Sequence, residues 1–310
     1  MKTAFMFSGQ GSQSLGMGKQ LYESYPAFRS VCDEASQTLG YPITEIMFEN
    51  EEKLNETEFC QPAILTMSVA SAAILSEMGI KADMTAGLSL GEYSALVYAG
   101  AVSFADAVKL VQIRGRLMKN AVSPKYGAMC AILGGEHVKI ELACDMASSD
   151  KGRAYVANYN APDQTVISGE AEAVRKASVI AQQNGAKRAI MLNVSGPFHT
   201  PLLTEASMKL KEELTGTEWK KPKIPVISNL TADEIAFPWE LPNILEKHMI
   251  SPVKWHQSVD AMISRGGDVF VELGPGKALS NFVKRIDKTV EIFNVEDEKS
   301  LAVTLKRFLN

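Results

Sequence analysis

Thr85-Ala86-Gly87-Leu88-Ser89-Leu90-Gly91-Glu92-Tyr93-Ser94-Ala95-Leu96 places a serine between two glycines where an apolar strand gives way to a helical pattern. Its centre reads Gly87-x-Ser89-x-Gly91. In a tight strand-to-helix turn, side chains at the flanking positions would meet neighbouring backbone, so the spacing suits an elbow that projects Ser89 into a cleft. The helix behind it aims free N–H groups and a positive dipole end at an oxyanion forming on the serine's acyl group. A second reading needs no chemistry. Ser89 followed by Glu92 ahead of an apolar run also spells a capping box, which accounts for the serine and glutamate but not for the glycines.

Outward from this stretch, residues 82–88 read as the strand and 93–98 as the helix, closed by Gly100. Upstream, residues 3–7 are a short strand that breaks at Ser8-Gly9-Gln10-Gly11-Ser12-Gln13. The backbone N–H groups of such a loop can face inward, but neither a phosphate-loop lysine nor the dinucleotide glycine spacing follows. Residues 17–39 carry helical apolar spacing broken by Pro26, and 49–58 are acidic and polar. Residues 61–78 read as a helix apolar on most sides, the mark of a buried helix. Residues 104–118 form a further helix carrying Arg114-Gly115-Arg116. Two helical arginines ordinarily face solvent. Gly115 in a helix interior costs about 1 kcal/mol relative to Ala, so close packing is expected there and one arginine can reach a cleft.

Residues 127–194 change character: strand 127–133, helix 136–147, strands 154–158 and 165–168, helix 170–183 and strand 189–194. That β-α-β-β-α-β order is the split βαβ pattern of ferredoxin-like domains. It leads into Ser195-Gly196-Pro197-Phe198-His199-Thr200-Pro201, which returns the chain to the larger pattern, where a cleft between domains would sit. A helix at 204–215, a strand at 224–228, a helix at 242–248 and a strand at 268–273 ending in Gly274-Pro275-Gly276 follow, and a last helix and a short strand (290–295) finish the sheet. The expected fold is α/β: an α/β-hydrolase-like large domain with a parallel sheet and nucleophile elbow (1–125 and 197–310), with an inserted ferredoxin-like small domain (126–196).

Composition narrows the function classes. The 310 residues are 46% hydrophobic and 22% charged, as in ordinary globular proteins, and a net charge of −4 disfavours nucleic-acid binding. The N-terminal apolar run is too short for a secretory signal. The longest mainly apolar segment, 63–75, is interrupted by Thr66, Ser68 and Ser71 and falls below the ~20 residues of a membrane span. A cytoplasmic protein is expected. The 4 cysteines (Cys32, Cys60, Cys130, Cys144) form no C-x-x-C pair and read as buried thiols. The 4 histidines have no metal-ligand spacing, so no metal is expected.

Taken in order, Gly9-Gln10-Gly11-Ser12-Gln13, Gly87-Leu88-Ser89-Leu90-Gly91-Glu92, Arg114-Gly115-Arg116, Gly196-Pro197-Phe198-His199-Thr200-Pro201 and Glu272-Leu273-Gly274-Pro275-Gly276 resemble the malonyl-CoA:acyl carrier protein transacylase family. The resemblance runs almost end to end and is closest to stand-alone enzymes of fatty acid synthesis or those serving polyketide synthases in trans. It implies that Ser89 takes the acyl group from coenzyme A and that His199 is general base and then general acid. It implies an oxyanion hole from the backbone N–H groups of Gln10 and Leu90. Arg114 would pair bidentately with the malonyl carboxylate, which a lysine could not reproduce. Phe198 resembles the malonyl-preferring form, where a bulky ring leaves little room for an α-methyl branch. The backbone carbonyl of His248 would orient His199 in place of an Asp side chain. No cofactor is implied, the coenzyme A thioester being a substrate; the implied partners are malonyl-CoA and an acyl carrier protein or polyketide synthase carrier domain, with neither nucleic acid nor membrane, and a monomer is expected.

The sequence departs from the family's pattern in three places. Leu88 stands where many members have His, Ser8 replaces a common proline and would loosen the first loop slightly, and His248 stands where Gln or Asn is frequent. A hydrolase that edits acyl groups on carrier proteins is the alternative, but it would be expected to lack Arg114. An ordinary esterase would place its histidine near the C-terminus after an acid. A non-catalytic carrier-protein docking module is a further alternative, which Ser89→Ala labelling would separate.

Overall fold

The computed structural model describes residues 1–123, 125–194 and 196–309. Strands β1 (Lys2–Phe7), β2 (Met84–Gly87), β7 (Val226–Ile227), β8 (Gly267–Leu273) and β9 (Glu291–Val295) form a parallel 5-stranded sheet in the order β7-β2-β1-β8-β9. Its central strands are apolar because helices cover both faces. Alternation along β1 divides the core accordingly. Phe5 and Phe7 point into the main cluster with Val269, Val271 and Leu273, whereas Ala4 and Met6 point to the opposite one with Phe270, Trp255 and Val259.

The helix Thr57–Glu77 is the centre of the main cluster and packs against the helices Pro26–Leu39 and Phe104–Ala121. At 21 residues it is longer than the apolar run read from sequence, and by length and composition alone it could cross a membrane. Burial of 78% of its apolar window inside the protein accounts for that apolarity instead.

Strands β3 (Gly127–Leu133), β4 (Ala154–Ala161), β5 (Gln164–Glu170) and β6 (Arg188–Met191) form an antiparallel 4-stranded sheet in the order β4-β5-β3-β6. Helices His137–Ala147 and Ala171–Gln183 cover one face around Ile132, Ile140, Ile167 and Val174. This is the ferredoxin-like arrangement inserted into the α/β-hydrolase-like domain. We propose 126–196 as the extent of the insert; Ser195, part of the returning motif, lies outside the described residues.

Segments of the large domain outside its sheet hold the small sheet. Val253 donates to the Ala157 carbonyl at 2.8 Å and accepts from the Tyr159 N–H at 2.9 Å, and Arg285 holds Asp163 and Gln164 at the β4–β5 turn, each at 2.8 Å. Met129, Ala131, Ala157 and Val166 of the small sheet belong to the main apolar cluster.

Candidate active site

The end of β2 turns sharply at Ser89, whose φ of 52° lies in the left-handed region. Side-chain carbons at the two flanking glycines would stand 1.9 Å from the Gly91 carbonyl oxygen (at Gly87) and 2.1 Å from the Phe7 carbonyl oxygen (at Gly91), so neither position admits one. The helix starts at Gly91 with Leu90 as its N-cap and without a side-chain cap. The capping-box reading is therefore overturned: Ser89 Oγ points to His199, and Glu92 is buried in the protein. Asn229 secures the turn instead. Its Oδ1 accepts from the Ser89 N–H at 2.6 Å and its Nδ2 donates to the Gly87 carbonyl at 2.8 Å.

His199 also has a positive φ, 60°. Its Nε2 lies 2.8 Å from Ser89 Oγ, and its Nδ1 lies 3.0 Å from the His248 carbonyl. A carbonyl only accepts, so the network assigns the proton to Nδ1 and leaves Nε2 a lone pair facing the serine hydroxyl. Burial, then the neighbouring His248 and Arg114, hold the His199 pKa well below its ordinary 6.5, against hydrogen bonds to the His248 and Ser251 backbone that raise it. The imidazole is neutral at pH 7, ready to take a proton.

Arg114 is 1% exposed, a rare placement for an arginine. Its Nη2 donates to Ser89 Oγ at 3.0 Å, its Nη1 donates to Gln61 Oε1 at 2.8 Å, and the guanidinium lies 5.7 Å from the Tyr93 ring centre. Gly115 permits this, since a side-chain carbon there would stand 2.5 Å from the Thr57 carbonyl oxygen. Burial lowers the Arg114 pKa, with Tyr93 and Glu92 opposing that shift. Among the described residues no carboxylate forms an ion pair with it, while Arg116 on the same helix is exposed.

The Gly9–Gly11 loop abuts the elbow: a side-chain carbon on Gly9 would be 2.6 Å from the Leu88 carbonyl oxygen. Among the described residues the backbone N–H groups of Gln10 and Leu90 make no hydrogen bond, while the Gln10 side chain joins Gln61 at 3.3 Å and Thr57 at 3.1 Å. Ser8 does not loosen this loop. Its N–H donates to the Leu273 carbonyl at 3.2 Å, a bond proline could not make, and its Oγ reaches Glu272 at 3.4 Å. Glu272 accepts from the N–H groups of Leu279 and Ser280 at 3.0 and 2.7 Å, and burial raises its pKa. Phe198 is buried in the main cluster beside His199, and Leu88 packs half-buried against the opposite cluster. A cavity of about 290 Å³ between β4 and residues 250–252 opens onto His199.

The profile of the acyl transferase domain matches residues 4–306. Over 306 residues the chain is 44% identical to the malonyl CoA-acyl carrier protein transacylase of Bacillus subtilis, covering 98% of this chain and 96% of that one. The chain belongs to the malonyl CoA-acyl carrier protein transacylase family. A solved transacylase of the family from Clostridium perfringens superposes with a TM-score of 0.96 at 41% identity, over 100% of this chain and 98% of that one. A malonyl-transacylase solved in complex with a type II polyketide synthase acyl-carrier protein superposes equally well, with a TM-score of 0.96 at 38% identity, over 99% of this chain and 100% of that one.

Within this family fold, Ser89, His199, Arg114 and the His248 carbonyl meet at one point, with the Gln10 loop beside them. Sequence reasoning missed Gln61 and Asn229 and took Glu92 only as a cap. Gln61 carried a signal, a long amide inside an otherwise apolar helix. Asn229 carried none, since asparagine after a short strand is ordinary turn chemistry. Among the described residues no cluster of His, Cys, Asp and Glu could hold a metal ion, and the cysteines are buried free thiols.

Proposed function

We propose that the chain transfers a malonyl group from malonyl-CoA to the phosphopantetheine thiol of an acyl carrier protein, through a malonyl ester on Ser89. The observation that carries this reading is the buried Arg114 guanidinium at 3.0 Å from Ser89 Oγ, a cation that among the described residues has no carboxylate partner, beside a candidate nucleophile. A substrate carboxylate would complete its fork, with Gln61 fixing the guanidinium plane.

In the first half-reaction His199 Nε2 takes the Ser89 proton as Oγ attacks the thioester carbon; the proton then passes to the departing coenzyme A sulfur. In the second the carrier thiol gives its proton to His199 and attacks the ester, and Ser89 regains a proton as it leaves. The Gln10 and Leu90 N–H groups stabilise both tetrahedral oxyanions, each donor contributing about 100- to 1000-fold. The helix Leu241–Met249 presents the His248 carbonyl at its C-terminal end, whose partial negative charge supports the imidazolium. Phe198 restricts the space beside the malonyl α-carbon. No cofactor enters these steps. We place the enzyme in the cytoplasm as a monomer.

An assay offering malonyl-CoA with and without a phosphopantetheinylated carrier protein tests the reading. Malonyl carrier protein should form faster than free malonate. Faster hydrolysis of an acyl carrier protein than malonyl transfer would favour the editing hydrolase.

A further inference from the structure

Glu92 and His248 form a buried pair behind the reacting groups that the transfer steps do not use. His248 Nδ1 lies 3.0 Å from Glu92 Oε2, with the two side chains 1% and 0% exposed. Glu92 Oε2 also accepts from the Asn229 N–H at 3.3 Å, and Asn229 Oδ1 holds the Ser89 N–H at 2.6 Å. On the other side the His248 ring stacks on the His199 ring at 5.2 Å between centres and 28° between planes, while the His248 carbonyl takes the His199 Nδ1 proton. The contacts close a ring: Ser89, His199, His248, Glu92, Asn229 and back to Ser89.

A carboxylate and an imidazole of this burial are costly to desolvate, and an apolar pair of similar volume would fill the space without that cost. What an apolar pair could not do is hold two separate backbones at once. The His248 carbonyl belongs to the last turn of a helix, where a carbonyl has no intrahelical partner, and it accepts from the Ser251 N–H at 3.4 Å. Anchoring the His248 ring on Glu92 stops that turn from moving. The same carboxylate, through Asn229, anchors the backbone of Ser89 in its left-handed conformation. We propose that Glu92 and the His248 side chain are positioning residues, which hold the serine and the histidine of the acyl-transfer reaction in register by bridging the elbow to the C-terminal turn of the helix Leu241–Met249. This rests on Ser89 and His199 being the reacting pair and adds a role for side chains that touch no substrate.

The test uses a fluorophosphonate, which labels an activated serine whatever the natural acyl donor. Saturation kinetics of Ser89 labelling separate the maximal rate from the half-saturating concentration. His248→Leu, which keeps the carbonyl and removes the ring donor, should lower the maximal rate by about tenfold or more, part of the ~100-fold that a misplacement of about 1 Å can cost. The half-saturating concentration should change by less than about twofold, since no substrate contact is lost. His248→Asn, whose amide sits where Nδ1 sits, should recover most of the lost rate, and Glu92→Leu, which removes the oxygen that accepts from both His248 and Asn229, should fall with His248→Leu. A folded His248→Leu protein with the wild-type labelling rate overturns the proposal, as does His248→Asn no faster than His248→Leu. If His248→Leu does not fold, Glu92→Leu decides alone: a wild-type rate in that folded variant overturns the proposal. Failure of the wild type to transfer malonyl groups while still labelling would sink the substrate assignment and leave this network standing.

Discussion

At the scale of single residues the proposed role of Arg114 is the sharpest to test, because among the described residues its buried guanidinium meets Gln61, Ser89 and Tyr93 but no carboxylate. Arg114→Ala should lower kcat/KM for malonyl-CoA by about 100-fold, the worth of two charge-assisted hydrogen bonds, and leave acetyl-CoA far less affected. Arg114→Lys should fail to restore malonyl transfer, since a point charge cannot replace the fork. Equal losses for both donors would refute the role. His199 carries a pH signature. Its depressed pKa keeps it neutral through pH 6.5, so serine acylation should hold its plateau there and fall only at lower pH. An inflection at or above 6.5 in kcat/KM contradicts the burial account. The sign for stability is the same: below 6.5 the unfolded chain takes up this proton before the folded one, and the contribution is lost as pH falls.

Between elements, close approach was legible at Gly115 but not at Gly169 in β5, where a side-chain carbon would stand 2.1 Å from the Arg153 carbonyl oxygen. Gly115 marked the crossing of the helices Phe104–Ala121 and Thr57–Glu77 because glycine in a helix interior costs helix stability that close packing can offset. Gly115→Ala should therefore lower unfolding free energy by about 1–3 kcal/mol in urea titration, overpacking outweighing the gain in helix propensity. A stabilised variant would show that the helices can part. Other elements were read less well. The helices Trp255–Ser264 and Glu298–Leu309 were missed although Trp255, Val259 and Met262, and Leu301, Leu305 and Phe308, keep helical spacing. The strand expected at 189–194 is shorter and starts one residue earlier: β6 runs from Arg188 to Met191, and Leu192 and Val194 pack on the main core. Short apolar runs do not separate ladder from core contact.

For the whole molecule, the order of motifs made both sheets and the insert legible, while the contacts between them were not. No local pattern announces that Val253 pairs with β4, or that Glu92 meets His248 across the chain, since partners distant in sequence are chosen by the packed fold. The apolar cluster continuing from Phe5 and Phe7 to Met129 and Val166 predicts one cooperative calorimetric transition. Two resolved transitions would mean that the insert unfolds by itself. The most direct test of the central claim is intact-protein mass after brief exposure to malonyl-CoA, followed by addition of a phosphopantetheinylated carrier protein. Wild type should gain one malonyl group on Ser89 and pass it to the carrier, and Ser89→Ala should gain none; a Ser89→Ala protein that still takes up and delivers malonyl would contradict the account.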